Sequence, residues 1–548
     1  PEWCSPAAHP RSPHASVRAD FVDVPLASTI LGAAKLTGRL PSRLSVGGLM
    51  AVTAQEDARL FFTDSATQTR SVGVEPLTTY SVLRLQQEVG TQASTIGAAF
   101  TTTNRRFGSD THLADLLTRE AYYGGLDWRV RMQQGRYAIS GNVAGTYVAG
   151  DTAAIRRLQT ASTRFLQRPD MTHGRYDPLK TSMSGYTVRL RADKDAGDLI
   201  LWGAEVKAES PGFEVNDLGR LQSTDDIEYN ADIQLRETQP GRYFQNWRLG
   251  FETRGARTFG GIHQGNAWTQ NTSLTLKNFW NVNLRSTFNL ASLDDALTRG
   301  GPIMGTPREF KQDLRLNTAF GAQTFWRVNG GYEIDEFDAM RVNVGAQLTL
   351  RPSDRISVSV EPSYQRGTDP RQYVTRVVGG ARTFGTRYIF GELERSTMSA
   401  KLRLNYTVSP NLSFEGYGEP FVSSGGYANM GELSAPRSRT LRFYGADGTS
   451  ASIDSLGVRT VTDGAQTFSI SNRDFHVLSF RSNVVMRWEW VPGSTLFVVW
   501  QQNRRTSEAF RQSLSASELY RTTRAAGDNF LSVKLSYWLP VSLGGSRR

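Results

Sequence analysis

The chain has 548 residues, of which 39 % are hydrophobic and 10 % aromatic, with 51 glycines, one cysteine and a formal charge of +11. Mean hydropathy is −0.40, and no stretch approaches the roughly 18 apolar residues that a membrane helix requires. Helical membrane proteins are thereby excluded, as is an intramolecular disulfide framework, because Cys4 stands alone. Membrane β-barrels are not excluded, since their apolar residues alternate with polar ones. Lys and Arg are dispersed singly through strand-like runs, so the positive charge forms no basic tract and no nucleic-acid partner is expected.

The first segment, "PEWCSPAAHPRSPH", is rich in proline, and residues 1–25 read as irregular. No charged segment followed by an apolar one precedes the first strand, so a leader is expected to have been removed or to lie outside this stretch. Period-2 patterning begins at "ILGAAKLTGRL", 30–40. Two stretches have helix-like starts, "DTHLADLLTRE" (110–120) and "DTAAIRRLQTASTRFL" with Asp151 as an N-cap candidate. Both are read as loop packing.

Alternation then recurs along the chain. In "GYTVRLRAD", Tyr186, Val188 and Leu190 oppose Thr187, Arg189 and Arg191. "IEYNADIQLR" sets Ile227, Tyr229, Ala231, Ile233 and Leu235 against Glu228, Asn230, Asp232, Gln234 and Arg236. "NVNLRSTFNL" sets Val282, Leu284 and Phe288 against Asn283, Arg285 and Thr287. "RVNVGAQLTL", the turn "RPSD" and "RISVSVEPSYQ" repeat the scheme at 341–365. "AKLRLNYTV" places Arg403 opposite Leu402, Leu404 and Tyr406, and "LSFRSNVVMRWEW" places Arg487 opposite Met486 and Trp488. The last such run is "DNFLSVKLSYWLP", 528–540.

Runs of this length exceed the roughly 5–6 residues usual in soluble sheets and match the roughly 9–11 of a tilted membrane strand. Their connections alternate short and long. Short ones fall near 40–43, 90–94, 134–136, 194–198, 238–241, 351–354, 383–385 and 491–494; long ones include 55–70, 104–119, 149–181, 209–224, 291–308, 425–472 and 504–527. Brief breaks near 367–371 and 395–396 keep this parity. That is the rhythm of an outer-membrane barrel, with turns in the periplasm and loops outside. The prediction is an all-β, antiparallel transmembrane β-barrel of about 22–24 strands over residues 26–540, followed by a tail at 541–548. A direct count gives about 23, an odd number, so one strand upstream of Ser28 is expected to be missing.

Trp280, Tyr406, Trp488, Trp490, Tyr537 and Trp538 fall beside short turns and predict an interfacial aromatic girdle. Arg189, Arg191, Arg236, Arg285, Arg403 and Arg487 project to the polar face and are expected in the lumen. They either make it net basic, favouring anions, or pair with Glu205, Glu228, Asp232, Glu361 and Glu489 across the wall. The loops at 149–181 and 425–472 are candidates to fold inward as a constriction.

"ILGAAKLTGR", "GVEPLTTY", "RFLQRPD", "SPGFEVNDLG", "RWEWVPGSTLFVVWQQ" and "DNFLSVKLSYWL" together resemble an uncharacterised bacterial outer-membrane barrel family, over about residues 26–540. The resemblance implies a barrel of unknown function that usually follows a signal peptide and a domain similar to family 9 carbohydrate-binding modules. None of the 548 residues resembles that domain, and Pro-rich sequence stands where a further strand is expected. Leu535, Tyr537, Trp538 and Leu539 resemble the C-terminal signal read by the barrel-assembly machinery, although "VSLGGSRR" follows them.

Residues for chemistry are sparse. The six histidines show no metal-ligand spacing, and no nucleophile elbow or phosphate loop occurs. Asp225–Asp226 and Asp294–Asp295 read as solvated loop acids, while His173 and His263 are the outer-loop candidates for a hydrolytic site. No cofactor is expected, and the expected partners are outer-membrane lipid, the assembly machinery and an upstream carbohydrate-binding-like domain. The function expected is a transport or export channel, or gated pore. A surface-glycan or partner-binding scaffold is the alternative, and a barrel-embedded hydrolase ranks third.

Overall fold

The computed structural model describes residues 19–25, 27–62, 69–108, 111–197, 199–319 and 321–538. The tail at 541–548 and Leu539 lie outside these residues, as do residues 1–18.

The fold is an antiparallel β-barrel. Its wall strands are β1 (Ile30–Arg39), β2 (Leu44–Thr53), β3 (Leu77–Val89), β4 (Ser94–Arg106), β5 (Glu120–Met132), β6 (Tyr137–Ala149) and β7 (Ser182–Lys194). They continue as β8 (Ile200–Glu209), β9 (Asp226–Glu237), β10 (Phe244–Arg257), β11 (His263–Leu276), β12 (Asn281–Asn289), β13 (Glu309–Asn317) and β14 (Thr324–Asp335). The last are β15 (Met340–Ser353), β16 (Ile356–Gly380), β17 (Gly385–Ser409), β18 (Leu412–Leu433), β19 (Phe475–Val491), β20 (Ser494–Glu508) and β21 (Gly527–Ser536). Each pairs with its neighbour in sequence. A three-residue spur, Leu441–Phe443, pairs with the end of β18 and makes 22 strands in the sheet among the described residues.

The period-2 pattern explains the wall. Leu83, Phe100, Leu126, Leu190, Val344 and Leu404 are all exposed. Such surface would be a liability in water and is the normal outer face of a barrel in lipid. The opposite face carries threonines, amides and ion pairs.

The strand count differs from the direct sequence reading for a specific reason. The apparent breaks at 367–371 and 395–396 are not turns, because β16 and β17 each run through them for 25 residues. Asp369–Pro370 resembles a turn signal, but the ladder steps from Asp369↔Leu393 to Gln372↔Gly391. A β-bulge absorbs Pro370, which has no N–H to give. The turn near 383–385 is therefore the outer tip of a projecting hairpin, with Phe384 in the left-handed region at φ 57°, and not a periplasmic turn.

Other expectations are also corrected. Phe21–Asp23, inside the segment read as irregular, adds a strand to the outer hairpin Glu56–Phe61 and Thr69–Glu75. The two stretches read as loop packing contain helices, α1 (Thr111–Leu116) and α2 (Thr152–Gln159). A third, α3, spans Ala516–Arg521. Residues 425–433 continue β18, and much of the remaining loop forms a three-stranded sheet, Thr449–Ile453, Arg459–Asp463 and Gln466–Ile470. Its Val461 and Ile470 are buried with Ile389 and Met430.

The chain divides into two compact units: residues 1–235 with 250–268 and 290–306, and residues 236–249 with 269–289 and 307–548.

Candidate functional site

In the first unit the outer loops do not stand away from the barrel. They lie on the inner face of the wall. Helix α2 places Ile155, with no solvent exposure, against Ala121, Val148 and Met183, and Leu158 packs beside it. Ala121 and Val148 are register partners on β5 and β6, on the face opposite exposed Tyr147. The apolar side of a short amphipathic helix thus finds its partner inside the barrel.

The loop 210–225 follows the same route. Ser210 N–H donates to the Tyr186 carbonyl at 3.0 Å, and Glu214 N–H donates to Thr146 Oγ1 at 3.1 Å. Gly185 makes this approach possible. A Cβ there would lie 2.1 Å from Phe213 N and 2.3 Å from the Gly212 carbonyl carbon, so a side chain would push the loop away.

Three groups of charges clamp the loops. Arg164, whose side chain is fully buried, lies 2.8 Å from Glu214 Oε2 and donates to the Phe213 carbonyl at 2.8 Å. It also donates to the Leu158 carbonyl at 3.0 Å, tying the α2 loop to the 210–225 loop. Arg105, on the inner face of β4, lies 2.6 Å from Asp217. Arg168, also buried, reaches Asp295 at 2.5 Å and Asp225 at 3.8 Å. His173 Nε2 lies 2.6 Å and 2.7 Å from the two Asp225 oxygens. Burial raises the Asp225 carboxyl above its ordinary range, opposed by the His173 hydrogen bond. Charges this deep are costly to leave unpaired, so the loops are held in one arrangement.

Two cavities adjoin the clamp. One of about 570 Å³ is lined by His173, Arg175, Asp177, Lys180 and Met183 among others. Another of about 290 Å³ lies between loop residues Phe213–Gly219 and wall residues such as Thr101, Thr103 and Tyr123.

The six arginines singled out from sequence fall on strands, and several are paired. Arg189 meets Glu205 at 2.6 Å. Arg191 bridges Asp193 at 2.7 Å and Asp232 at 3.2 Å. Arg487 meets Glu489 at 2.9 Å, and the Arg403 guanidinium lies 5.4 Å from the centre of the Tyr417 ring. Arg236 is on β9. Arg285 is exposed, opposite Asp313 in the ladder. Additional pairs, Arg84–Asp127, Lys207–Glu209 and Arg341–Glu333, continue the pattern.

Among the aromatics, Trp280 packs edge-on against Trp326 at 5.0 Å and Trp488 against Trp490 at 6.2 Å. Tyr406, Tyr537 and Trp538 are exposed, as is Leu535. His263 opens β11. His173 is committed to Asp225, and its Nδ1 faces the Gly260 backbone. Among the described residues no group of three or more His, Cys, Asp or Glu is placed to hold a metal ion. Asp294 instead accepts the N–H groups of Ala296 and Leu297.

Reasoning from sequence missed Arg105, Arg164, Arg168, Glu214 and Asp217. The available signal was charge set among apolar residues in "RFLQRPD" and "GFEVNDLG".

An alternating wall with an apolar outer face, short turns and inward-folded loops defines an integral outer-membrane β-barrel. No helix among the described residues is long and apolar enough to cross a membrane. The chain belongs to the family described as Domain of unknown function (DUF5916), which it matches over residues 6–542. No curated protein matches it. Similar solved structures include the FrpB iron transporter from Neisseria meningitidis (F3-3 variant), 9 % identical, TM-score 0.39, covering 87 % of this chain and 77 % of that one. The outer membrane transporter YddB from Escherichia coli is 8 % identical, TM-score 0.39, with 92 % and 74 % covered. The siderophore receptor PirA from Acinetobacter baumannii is 9 % identical, TM-score 0.35, with 91 % and 81 % covered. Likeness at that level leaves substrate and mechanism to be read from this chain's own residues.

Proposed function

We propose that this protein is a gated outer-membrane transport barrel in which the loops 150–181 and 210–225 form the gate. The observation that supports this reading is the buried Arg164–Glu214 pair, which binds one outer loop to the other on the inner face of the wall. A loop that served only to present a surface outside would have no need of it. The inner face offers a ladder of paired opposite charges, a lining that suits a polar, hydrated solute better than an apolar one. Because many of the arginines are paired, the field they add is local, and strong anion selectivity is not expected.

Planar-bilayer recording tests the reading. The wild-type barrel should show low, intermittent conductance, and liposomes containing it should swell slowly in small polar solutes. A barrel that conducts nothing, and whose deletion leaves uptake of every solute tested unchanged, would remove transport. It would leave the scaffold reading, in which the outer loops hold a surface glycan or protein.

A further inference from the structure

The lipid-facing side of β11, β12 and β13 departs from the apolar pattern. Exposed Phe288, Leu314 and Tyr332 mark the outward set of positions. Ser286 shares the Phe288 side of β12, and Gln312 shares the Leu314 side of β13. The two stand opposite one another in the ladder, and Gln312 stands opposite Tyr332.

These polar side chains form a network. Ser286 Oγ lies 2.9 Å from Gln312 Oε1 and 3.4 Å from Gln270 Oε1. Gln270 Nε2 donates to the Thr272 hydroxyl, and Gln312 Nε2 donates to the Arg285 carbonyl at 3.2 Å. Ser286 has one hydroxyl proton for two amide oxygens, and each amide has a second N–H.

Depth makes this consequential. Ser286 and Gln312 sit near the middle of nine-residue strands, close to the bilayer midplane. No water is available there to complete their hydrogen bonds. A second polar group on the outer face, Ser482, Gln502 and Asn529, is farther from its periplasmic turn and nearer the outer rim.

We propose that this mid-depth patch is the contact surface for a second copy of the chain within the membrane. Amides and a hydroxyl carry both donors and acceptors, so the patch is complementary to itself across a two-fold axis. Phe288, Leu314 and Tyr332 give it an apolar surround. Polar side chains of this kind link transmembrane segments without the desolvation that a charge would require. The inference rests on the strand faces of a membrane barrel and not on what the barrel carries, so loss of transport activity would leave it standing.

The test uses Val282→Cys, on the same outward side of β12 but beside its periplasmic turn where a thiol can ionise, in a Cys4→Ser background, which leaves a single thiol, treated with a short bismaleimide in native outer membranes. The expected product has twice the mass of the 60.8 kDa chain, whereas Leu190→Cys, outward on β7, gives none. Gln270→Leu with Ser286→Ala and Gln312→Leu should raise the dimer dissociation constant about tenfold or more by native mass spectrometry. Heat-modifiable gel migration should be unchanged, which shows that the barrel still folds. A wild-type protein that is monomeric in the bilayer would overturn the proposal. So would a crosslink to a different protein, or a triple variant as dimeric as wild type.

Discussion

Replacing Glu214 by Gln tests whether the inward loop is a gate. Arg164 is fully buried and Glu214 nearly so, so the substitution leaves an uncompensated guanidinium inside the barrel. Breaking one side of a buried pair costs about 3–5 kcal/mol. At about 1.4 kcal/mol per factor of ten, the docked-to-undocked ratio of loop 210–225 should fall by roughly a hundred- to several-thousand-fold. The Phe213 carbonyl and the Leu158 carbonyl still accept from Arg164, which places the loss toward the lower end. Single-channel recording should show longer open times for Glu214→Gln, and limited proteolysis should cut the loop sooner. Adding Arg164→Met removes the stranded charge and should recover part of the stability, although not the closed state. Unchanged open times together with unchanged proteolysis would refute the clamp. Unchanged open times with faster proteolysis would show that the loop undocks but does not gate.

Three other outcomes follow from the same geometry. Gly185→Val should open the barrel as Glu214→Gln does, without altering any charge, because its Cβ would collide with Phe213 N; channel recording at matched protein load checks this. Leu190→Arg, on the lipid face of β7, should lower stability by about 2–4 kcal/mol if it lies near the midplane, measured by urea unfolding into detergent. Asp463 is held down to about 2 by a hydrogen bond from Arg442, with Arg387 adding to it. A depressed carboxyl contributes stability above its unfolded value of 3.8 and loses it as pH falls through about 2. Hydrogen exchange in 449–470 should therefore quicken on acidification across that window, and Asp463→Asn should flatten the response.

The wall was legible because lipid imposes one strict rule on each strand. From Tyr186 to Ala192 in β7 and from Met340 to Leu350 in β15 every second residue is apolar or aromatic, and no tertiary contact is needed to know which face is which. The same rule failed where strands leave the membrane. Beyond the bilayer, β16 and β17 no longer have to alternate, and the stretch around Asp369–Pro370 reads as a break where a bulge carries the strand through. The helices α1 and α2 leave a weak trace in the sequence because each is short and marginal alone. What stabilises α2 is the patch made by Ala121, Val148 and Met183, residues from three strands. The clamp was illegible for a related reason. Arg164 and Glu214 are 50 residues apart, and nothing local to either states that both are buried. By sequence alone His173 is a candidate for a hydrolytic site and Asp225 a solvated loop acid, although the two are partners.

The 25-residue strands β16 and β17 have a reach that bears on what the cell surface presents. About 11 residues suffice to cross the bilayer. The surplus of roughly 14, at about 3.3 Å each, extends some 45 Å along the strands. A tilt of about 40° still leaves roughly 35 Å of height. That clears the headgroup layer, so the hairpin tip, with Val378 and Phe384 exposed, stands outside the membrane, where a phage, antibody or neighbouring cell can reach it.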